Sequence, residues 1–93
     1  IQKVLIQNEV DPQCYWNLAL ANEGLEEYPA AGTAYQKVYP ALRQNKDFLK
    51  SYIYFLREEG ERLIIKDVLN DYLLIEPTDA EILEILEEIN SNY

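Results

Sequence analysis

Histidine and methionine are both absent from this sequence of 93 residues, and cysteine occurs once, at Cys14. Without histidine, no serine–histidine or cysteine–histidine relay can form, and zinc lacks its usual set of Cys and His ligands. A single cysteine excludes an intramolecular disulfide and fits a reducing compartment, so we expect a cytoplasmic location. Because Cys14 falls in a helical stripe beside Tyr15 and Trp16, it is predicted to be a small buried side chain.

Signals for phosphate binding, membranes and metals are also missing. There is no glycine-rich phosphate loop, no apolar run of about 18 residues that could span a membrane, and no EF-hand spacing. The acidic clusters at residues 58–61 and 84–88 are expected on turns and polar helix faces, where carboxylates are usually solvated. We therefore expect no catalysis, no metal and no cofactor. No signal peptide is visible, and the missing methionine leads us to expect a piece of a longer protein.

Basic side chains are scarce, since eight lysines and arginines face seventeen aspartates and glutamates, giving a formal net charge of −9. Residues 1–46 carry four basic and five acidic side chains, whereas residues 47–93 carry four basic and twelve acidic ones. Binding to nucleic acid and anionic membranes depends on Lys and Arg neutralising phosphate. We therefore expect neither as a partner, and the simplest role of the charge is to keep the domain soluble.

Apolar residues make up 48% of the chain and recur at helical spacing. The stretch from Lys46 to Asp79 shows this most clearly, because two helical stripes are separated at Gly60 and closed by Pro77. The stripes consist of Phe48, Leu49, Tyr52, Ile53 and Leu56, followed by Leu63, Ile64, Val68, Leu69, Tyr72 and Leu73. Two helices and two turns within about 34 residues have the size of one helical-hairpin repeat.

Capping and turn residues divide the rest of the chain. Asp11 and Pro12 suit the start of a first helix, near residues 13–23, and Gly24 suits its end. A second helix, near residues 29–39, begins with Pro29 and ends or kinks at Pro40. The third helix follows a cap at residue 45, and the fourth follows the glycine at residue 60.

A fifth helix is predicted from Thr78, because Glu81 three residues later completes a capping box. Its inward face is expected to consist of Ile82, Leu83, Ile85, Leu86 and Ile89. At the other end of the chain, Ile1, Val4 and Leu5 have helical spacing without a start signal. They are predicted to be the last turns of a preceding helix.

With one unit starting at Pro12 and the next at Lys46, the chain resembles the tetratricopeptide repeat family. The matching residues are Leu18, Ala19, Tyr28, Ala31 and Tyr35 in the first unit, and Gly60, Leu69 and Pro77 in the second. The resemblance implies an all-α fold, a right-handed α-solenoid of antiparallel helix hairpins with about five helices. It implies one domain, in which residues 1–11 end a preceding repeat, residues 12–45 and 46–79 are complete repeats, and residues 80–93 form a terminal capping helix.

Some positions depart from the family pattern. Ile53 and Ile65 stand where the family prefers small residues, so the two helices of the second repeat are expected to lie farther apart than usual. Arg43 replaces the closing proline of the first repeat. Glu87 stands where a small residue lets a further helix pack, which predicts that α-helix 80–93 is terminal. Another helical-hairpin solenoid therefore stays open as an alternative.

In this family the first helix of each repeat lines a concave groove, so the resemblance implies a protein or peptide partner. The corresponding residues are Gln13, Trp16, Asn17, Leu20 and Glu23, then Asp47, Lys50, Ser51, Tyr54 and Arg57, and finally Glu81, Glu84 and Glu88. Trp, Tyr and Arg are enriched among binding hot spots. Alternatively, Trp16 and Tyr54 fill the joint between neighbouring repeats, and the chain caps a larger array or self-associates through its exposed ends.

The groove residues also predict the chemistry of the partner. Lys50 and Arg57 flank Tyr54 on one helix face, with Trp16 and Leu20 expected beside them, while the glutamates of the last helix make the far end acidic. We expect a partner with a bulky apolar anchor, acidic residues at one end and basic residues at the other. Alternatively, the two cations only pair with Asp47, Glu58 or Glu84.

A carboxylate clamp of the chaperone-tail type is not expected. Members of the family with that clamp hold a C-terminal carboxylate with Lys, Asn and Arg side chains. In this chain the corresponding positions hold Trp16, Leu20, Asp47 and Ser51, and only Asn17 matches.

Overall fold

The structure is a computed structural model that describes residues 11–92, and for Arg62 and Asn92 only the backbone. Five α-helices make up these residues, and no strand occurs among them. They are α1 (Pro12–Gly24), α2 (Tyr28–Val38), α3 (Lys46–Glu59), α4 (Arg62–Ile75) and α5 (Ala80–Asn92). The predicted all-α fold with about five helices is confirmed. The helix predicted before residue 11 lies outside the described residues.

The helices belong to two compact units, the first unit ending at Ala41 and the second unit beginning at Leu42. In the first unit, α1 packs against α2. In the second unit, α4 packs against both α3 and α5. The helices α1, α3 and α5 begin at positions 12, 46 and 80, so their starts are evenly spaced along the sequence.

Residues at the same spacing cap these three helices. Asp11 accepts a hydrogen bond from the backbone N–H of Gln13 at 3.0 Å, and Asn45 accepts one from the backbone N–H of Phe48 at 3.1 Å. Both were predicted as caps. The third cap is Asp79, which accepts from the backbone N–H groups that follow it, and not Thr78 as predicted. The capping-box prediction was wrong because the helix begins one residue later, at Ala80.

The turns that close α1 and α3 each use one residue in the left-handed conformation. After α3 this residue is Gly60, with φ of 73°. After α1 it is Glu26, with φ of 62°, at the equivalent position of the preceding repeat. Gly24, predicted as the stop, is the last residue of α1 and has no left-handed backbone. The backbone N–H of Glu27 closes the turn by donating to the carbonyl of Asn22 at 2.8 Å.

The cores of the two units differ in side-chain size. The buried residues of the first unit are Ala19, Ala31, Ala34, Tyr35 and Val38. Those of the second unit are Phe48, Leu49, Tyr52, Ile53, Phe55, Leu56, Ile65, Val68, Leu69, Tyr72, Ile82, Ile85 and Ile89. Ala19 and Ala31 of the first unit correspond to Ile53 and Ile65 of the second unit, and all four are buried. The expectation that Ile53 and Ile65 keep their helices farther apart stays a prediction.

Three leucines that were expected to pack are exposed instead: two were predicted in apolar stripes, Leu63 and Leu83, and one matches the family pattern, Leu18. Leu18 is 48% exposed, Leu63 is 83% exposed and Leu83 is 41% exposed. Each lies one or two residues from a buried neighbour, and a step of one residue turns a helix by about 100°. The buried part of each helix is therefore narrower than the predicted apolar stripe. A leucine beside the buried part can stay exposed with little loss of stability.

Candidate partner-binding site

The four site residues predicted on α1 share one side of that helix. Gln13, Asn17 and Leu20 are exposed, and Trp16 is half-buried at the edge of the packed face. The side-chain amide of Gln13 donates a hydrogen bond to the side-chain oxygen of Asn17 at 3.2 Å. This side of α1 thus presents two amides and two large apolar side chains in the first unit.

Glu23, also carried over from the family groove, has a structural contact. Its carboxylate accepts a hydrogen bond from the hydroxyl of Tyr35, which is fully buried in α2. Because a buried phenol needs an acceptor, this bond ties the end of α1 to α2. Glu23 therefore contributes to the packing of the first unit.

Three of the predicted residues on α3 face α5, since Lys50 and Arg57 form ion pairs with Glu81 and Glu88 and Tyr54 interacts with Glu81. Lys50, Ser51 and Tyr54 are half-buried, whereas Asp47 and Arg57 are exposed. Burial and the neighbouring carboxylate of Glu81 raise the pKa of Tyr54. Tyr54 therefore stays a neutral phenol at physiological pH, with part of its ring open to a ligand.

Asp79 is the centre of the polar contacts on this side of the second unit. Its Oδ2 accepts from the ammonium of Lys50 at 3.1 Å and from the hydroxyl of Tyr72 at 2.6 Å. Its Oδ1 accepts from the backbone N–H groups of Glu81 at 3.1 Å and Ile82 at 3.4 Å. One carboxylate thus caps α5 and joins it to α3 and α4.

The pKa values of this cluster follow from its hydrogen bonds. Bonds from Tyr72 and Lys50 lower the pKa of Asp79 to about 2. Burial, and then the bond to Asp79, raises the pKa of Tyr72 to about 12. The bond to Asp79 raises the pKa of Lys50. The cluster is therefore an ionised aspartate, a protonated lysine and a neutral tyrosine over the physiological range.

A second ion pair links α3 to α5. The guanidinium of Arg57 lies 3.0 Å from a carboxylate oxygen of Glu88, and Lys50 also lies 3.6 Å from Glu81. Beside the Arg57–Glu88 pair is a depression of about 450 Å³, lined by Arg57, Glu81, Glu84, Ile85, Glu87, Glu88 and Ser91. The predicted Lys50, Tyr54, Arg57 and Glu84 are therefore brought together on one side of the second unit.

The ion pairs change the electrostatics expected of this side. Lys50 and Arg57 are engaged by Asp79, Glu81 and Glu88, and not by the partners considered from the sequence. Their positive charge is largely compensated, so acidic partner residues gain little from them. For Asp79 the sequence pattern indicates only a position on a polar helix face. Asp79 nevertheless stands one repeat after Asn45, at the position equivalent to that cap.

Two further sequence expectations concern reactivity and membranes. Cys14 is exposed, which corrects the prediction that it is buried, because it lies on the side of α1 opposite Ala19. Within residues 11–92, no group of three or more His, Cys, Asp and Glu side chains is arranged to hold a metal ion. None of the described helices combines the length and the apolar character needed to cross a membrane.

Comparisons with known proteins identify relatives of the chain. A sequence model of the family described as "YpiA-like, C-terminal tetratricopeptide repeats" matches residues 12–79. The "TPR repeat-containing protein YpiA" of Bacillus subtilis (strain 168) is 32% identical over 93 residues, which are 100% of this chain and 22% of that protein. The chain thus spans about a fifth of the length of this relative. No solved structure matches the chain.

Proposed function

Because the chain belongs to the tetratricopeptide repeat family, we propose that it is an interaction module that holds a peptide or helix of a protein partner against its first helices. Repeats of this family generally mediate protein–protein interaction and are typically not catalytic. The proposed contacts in the first unit are Gln13, Trp16, Asn17 and Leu20. Those in the second unit are Lys50, Ser51, Tyr54, Arg57 and Glu84. The single cysteine supports action in the cytoplasm.

The observation that carries this proposal is that ion pairs to α5 and its cap lie on both sides of Tyr54 on α3. Tyr54 is half-buried, and Lys50 and Arg57, one turn before and one turn after it, are each tied to α5 by an ion pair. A half-buried tyrosine is already restricted by its packing, so it loses little conformational freedom when a partner covers it. Aromatic residues in such settings are frequent hot spots. The depression next to Arg57 offers space for a partner side chain.

The charges favour a partner with an apolar anchor and basic residues. Glu84 forms no salt bridge among the described residues, and the carboxylates of α5 outnumber the two cations of α3 that face them. Acidic residues at one end of the partner, expected from the sequence, are less favoured because Lys50 and Arg57 are already paired. A carboxylate clamp is not proposed, since Asp47 and Ser51 are not the Lys or Arg that such a clamp uses.

The alternative is a structural role, in which the chain supports a larger array or self-associates. The exposed leucines of the first unit favour this alternative. Leu18 is 48% exposed and Leu25 is 72% exposed, and apolar surface of this kind is often covered by another protein surface.

A peptide-selection experiment tests the proposal. Peptides that bind the chain are selected from a random display library, and their affinities are measured for the parent chain and its variants. We expect Tyr54→Ala and Arg57→Ala each to weaken binding by about 1–3 kcal/mol, because both remove hot-spot side chains. Trp16 fluorescence reports binding near α1, since it is the single tryptophan of the chain.

Variants of the second helices serve as controls. Lys37→Ala in α2 and Lys66→Ala in α4 remove the same amount of charge as Arg57→Ala, and we expect almost no change in affinity. If selected peptides lose affinity with the Lys37 and Lys66 variants but not with the Tyr54 and Arg57 variants, binding occurs on another surface and the proposal is wrong. Self-association in sedimentation, without any peptide binding, would support the structural alternative.

A further inference from the structure

The outward face of α5 carries an apolar strip beside two carboxylates that form no salt bridge within the described part of the chain. A shallow depression of about 570 Å³ on this face is lined by Ala80, Leu83, Glu84, Leu86, Glu87, Asn90 and Ser91. Leu83 is 41% exposed and Leu86 is half-buried. The buried isoleucines of α5, at positions 82, 85 and 89, pack inward. The apolar strip is therefore additional to the side chains that hold α5 in the second unit.

The glutamates of α5 fall into two groups, and only one group forms ion pairs with described residues. Glu81 and Glu88 face α3, where they form ion pairs with Lys50 and Arg57. Glu84 and Glu87 form no salt bridge with any lysine or arginine side chain in the described part of the chain. The depression beside Leu83 thus has a negative rim that forms no salt bridge in the described part of the second unit, although Glu84 and Glu87 also line the depression next to Arg57.

We infer that this outward face is a docking site for a positively charged amphipathic helix of another protein. Its apolar residues would cover Leu83 and Leu86, and Lys or Arg residues beside them would approach Glu84 and Glu87. The lining residues extend from Ala80 to Ser91, a length of about 16 Å along the helix axis, which corresponds to about three turns of a partner helix. This inference goes beyond the proposed function, because Leu83 and Leu86 are not among the proposed contacts and Leu83 lies about 200° around the helix from Glu81, which faces α3. The two surfaces share Glu84, which lines both depressions.

Charge decides between the possible occupants of this face. A second copy of the chain would bring the same glutamates together, in a molecule of net charge −9, and like charges at an interface are costly. A neutral apolar helix would cover Leu83 but leave Glu84 and Glu87 without a counter-charge. A basic amphipathic helix satisfies both the apolar strip and the carboxylate rim.

Binding of two matched synthetic peptides tests the inference. Both are helices of about 14 residues with leucines at positions i, i+3 and i+7, and the flanking residues are lysine in one peptide and glutamate in the other. Affinity is measured by fluorescence anisotropy of the labelled peptides, and the contact surface is mapped by NMR chemical shifts. We expect the lysine peptide to bind at least about tenfold more tightly than the glutamate peptide. The largest shifts are expected at residues 80–91.

Substitutions with matched controls locate the binding surface. Leu83→Ser should weaken binding of the lysine peptide about fivefold or more, and Glu87→Gln should weaken it about threefold. The controls are Leu74→Ser and Glu58→Gln, which make the same changes at exposed positions outside α5, and they should leave the affinity unchanged. Circular dichroism of each variant checks that the helix content is preserved.

Three results would overturn the inference. The first is equal weakening by the test and control variants, since this shows non-specific attraction to an acidic chain. The second is a dimer in sedimentation equilibrium that dissociates in Leu83→Ser, since a second copy then occupies the face. The third is binding to this chain alone but not to a longer natural polypeptide that contains it, since a neighbouring segment of the same polypeptide is then the occupant.

Discussion

The first and second units share one repeat period but are held together by different forces. In the first unit the buried residues are three alanines, one valine and one tyrosine. Ala19 and Ala31, both fully buried, contribute little bulk where α1 packs against α2. One polar link between α1 and α2 is the hydrogen bond from the hydroxyl of Tyr35 to the carboxylate of Glu23.

The second unit has large apolar side chains and many charges. Ile53 and Ile65 occupy the positions that correspond to Ala19 and Ala31, and both are buried. All salt bridges among the described residues lie in this unit, including Arg43 with Asp71 and Lys46 with Glu76. Most of these pairs are exposed and contribute little individually.

The comparison separates two kinds of information in the sequence. The period fixes where helices start and turns close, because caps occur at positions 11, 45 and 79 and left-handed turn residues at positions 26 and 60. We expect the size of the interior side chains to set how closely the helices of each unit approach. The repeat period and the size of the interior side chains can vary independently. The effect of each can therefore be tested by exchanging residues between equivalent positions of the two units.

The largest expected effect comes from exchanging the interior residues at positions 19 and 53. Ile53→Ala should lower the free energy of unfolding by about 2–5 kcal/mol, because it leaves a cavity between α3 and α4. Ala19→Ile should lower it by about 1–3 kcal/mol, because the added methylenes cannot fit between closely packed backbones. Urea denaturation followed by circular dichroism measures both changes.

Exposed positions supply the controls for this exchange. Ala21→Ile adds the same bulk on the exposed side of α1, and Leu74→Ala removes a side chain that is 84% exposed. Both should change the stability by less than about 0.5 kcal/mol. If Ala19→Ile is as mild as Ala21→Ile, then close packing does not distinguish the first unit.

A smaller effect is expected at the turn positions 26 and 60. Gly60→Ala should lower the stability by about 1 kcal/mol, because a Cβ is disfavoured at φ of 73°. Apart from the adjoining residues, no described atom lies within 4 Å of that Cβ, so the expected cost is that of the backbone conformation. Glu26→Gly should raise the stability by about 0.5 kcal/mol, because glycine has no Cβ that is strained at φ of 62°. The gain is small because glycine also increases the entropy of the unfolded chain.

Gly24→Ala provides a control of opposite sign. Its Cβ would also meet nothing within 4 Å, and its backbone is helical. Alanine should therefore raise the stability by about 0.5–1 kcal/mol there. Thermal melts of the three variants would contradict the interpretation if Gly60→Ala and Gly24→Ala shift the melting temperature in the same direction.

Much of the fold could be predicted from the sequence, because caps, glycines and prolines act locally. Asp11, Asn45 and Gly60 were predicted correctly from residue type and position alone. The exposed leucines and Cys14 could not be predicted, since helical spacing shows which residues share a face but not how wide the buried part of that face is.

The candidate site was less predictable than the fold. The residues on α1 and α3 followed from their positions in the repeat, and their role in binding stays a prediction. The partners of Lys50 and Arg57 were missed, because they lie at and within α5, beyond the whole of α4 in the chain, and ion pairs between such distant segments leave no local pattern. The prediction that Trp16 and Leu20 stand beside Tyr54 concerns both units and stays a prediction.

The most specific effect is expected at Asp79, whose neutral counterpart in the preceding repeat is Asn45. Asp79→Asn should keep the cap of α5, since asparagine caps helices as well as aspartate does, but it removes the charge that binds Lys50. The variant should therefore melt at a lower temperature near neutral pH. The pKa of Asp79 is about 2 in the folded chain against an ordinary value of 3.8, so the ionised carboxylate is favoured by folding. That contribution is fully present above about pH 4 and is lost as the pH falls towards 2.

The pH dependence distinguishes the charge from the shape of this side chain. The difference in melting temperature between the parent chain and Asp79→Asn should be constant from about pH 7 to pH 5 and should shrink between about pH 4 and pH 2. Asp67→Asn, at an exposed position of α4, is the matched control and should show a small difference throughout. A difference for Asp79→Asn that persists undiminished at about pH 2 would mean that hydrogen-bond geometry, and not charge, stabilises the second unit at this position. In that case Asp79 would stabilise α5 only as a cap, as Asn45 does for α3, and its charge would contribute nothing to the free energy of unfolding.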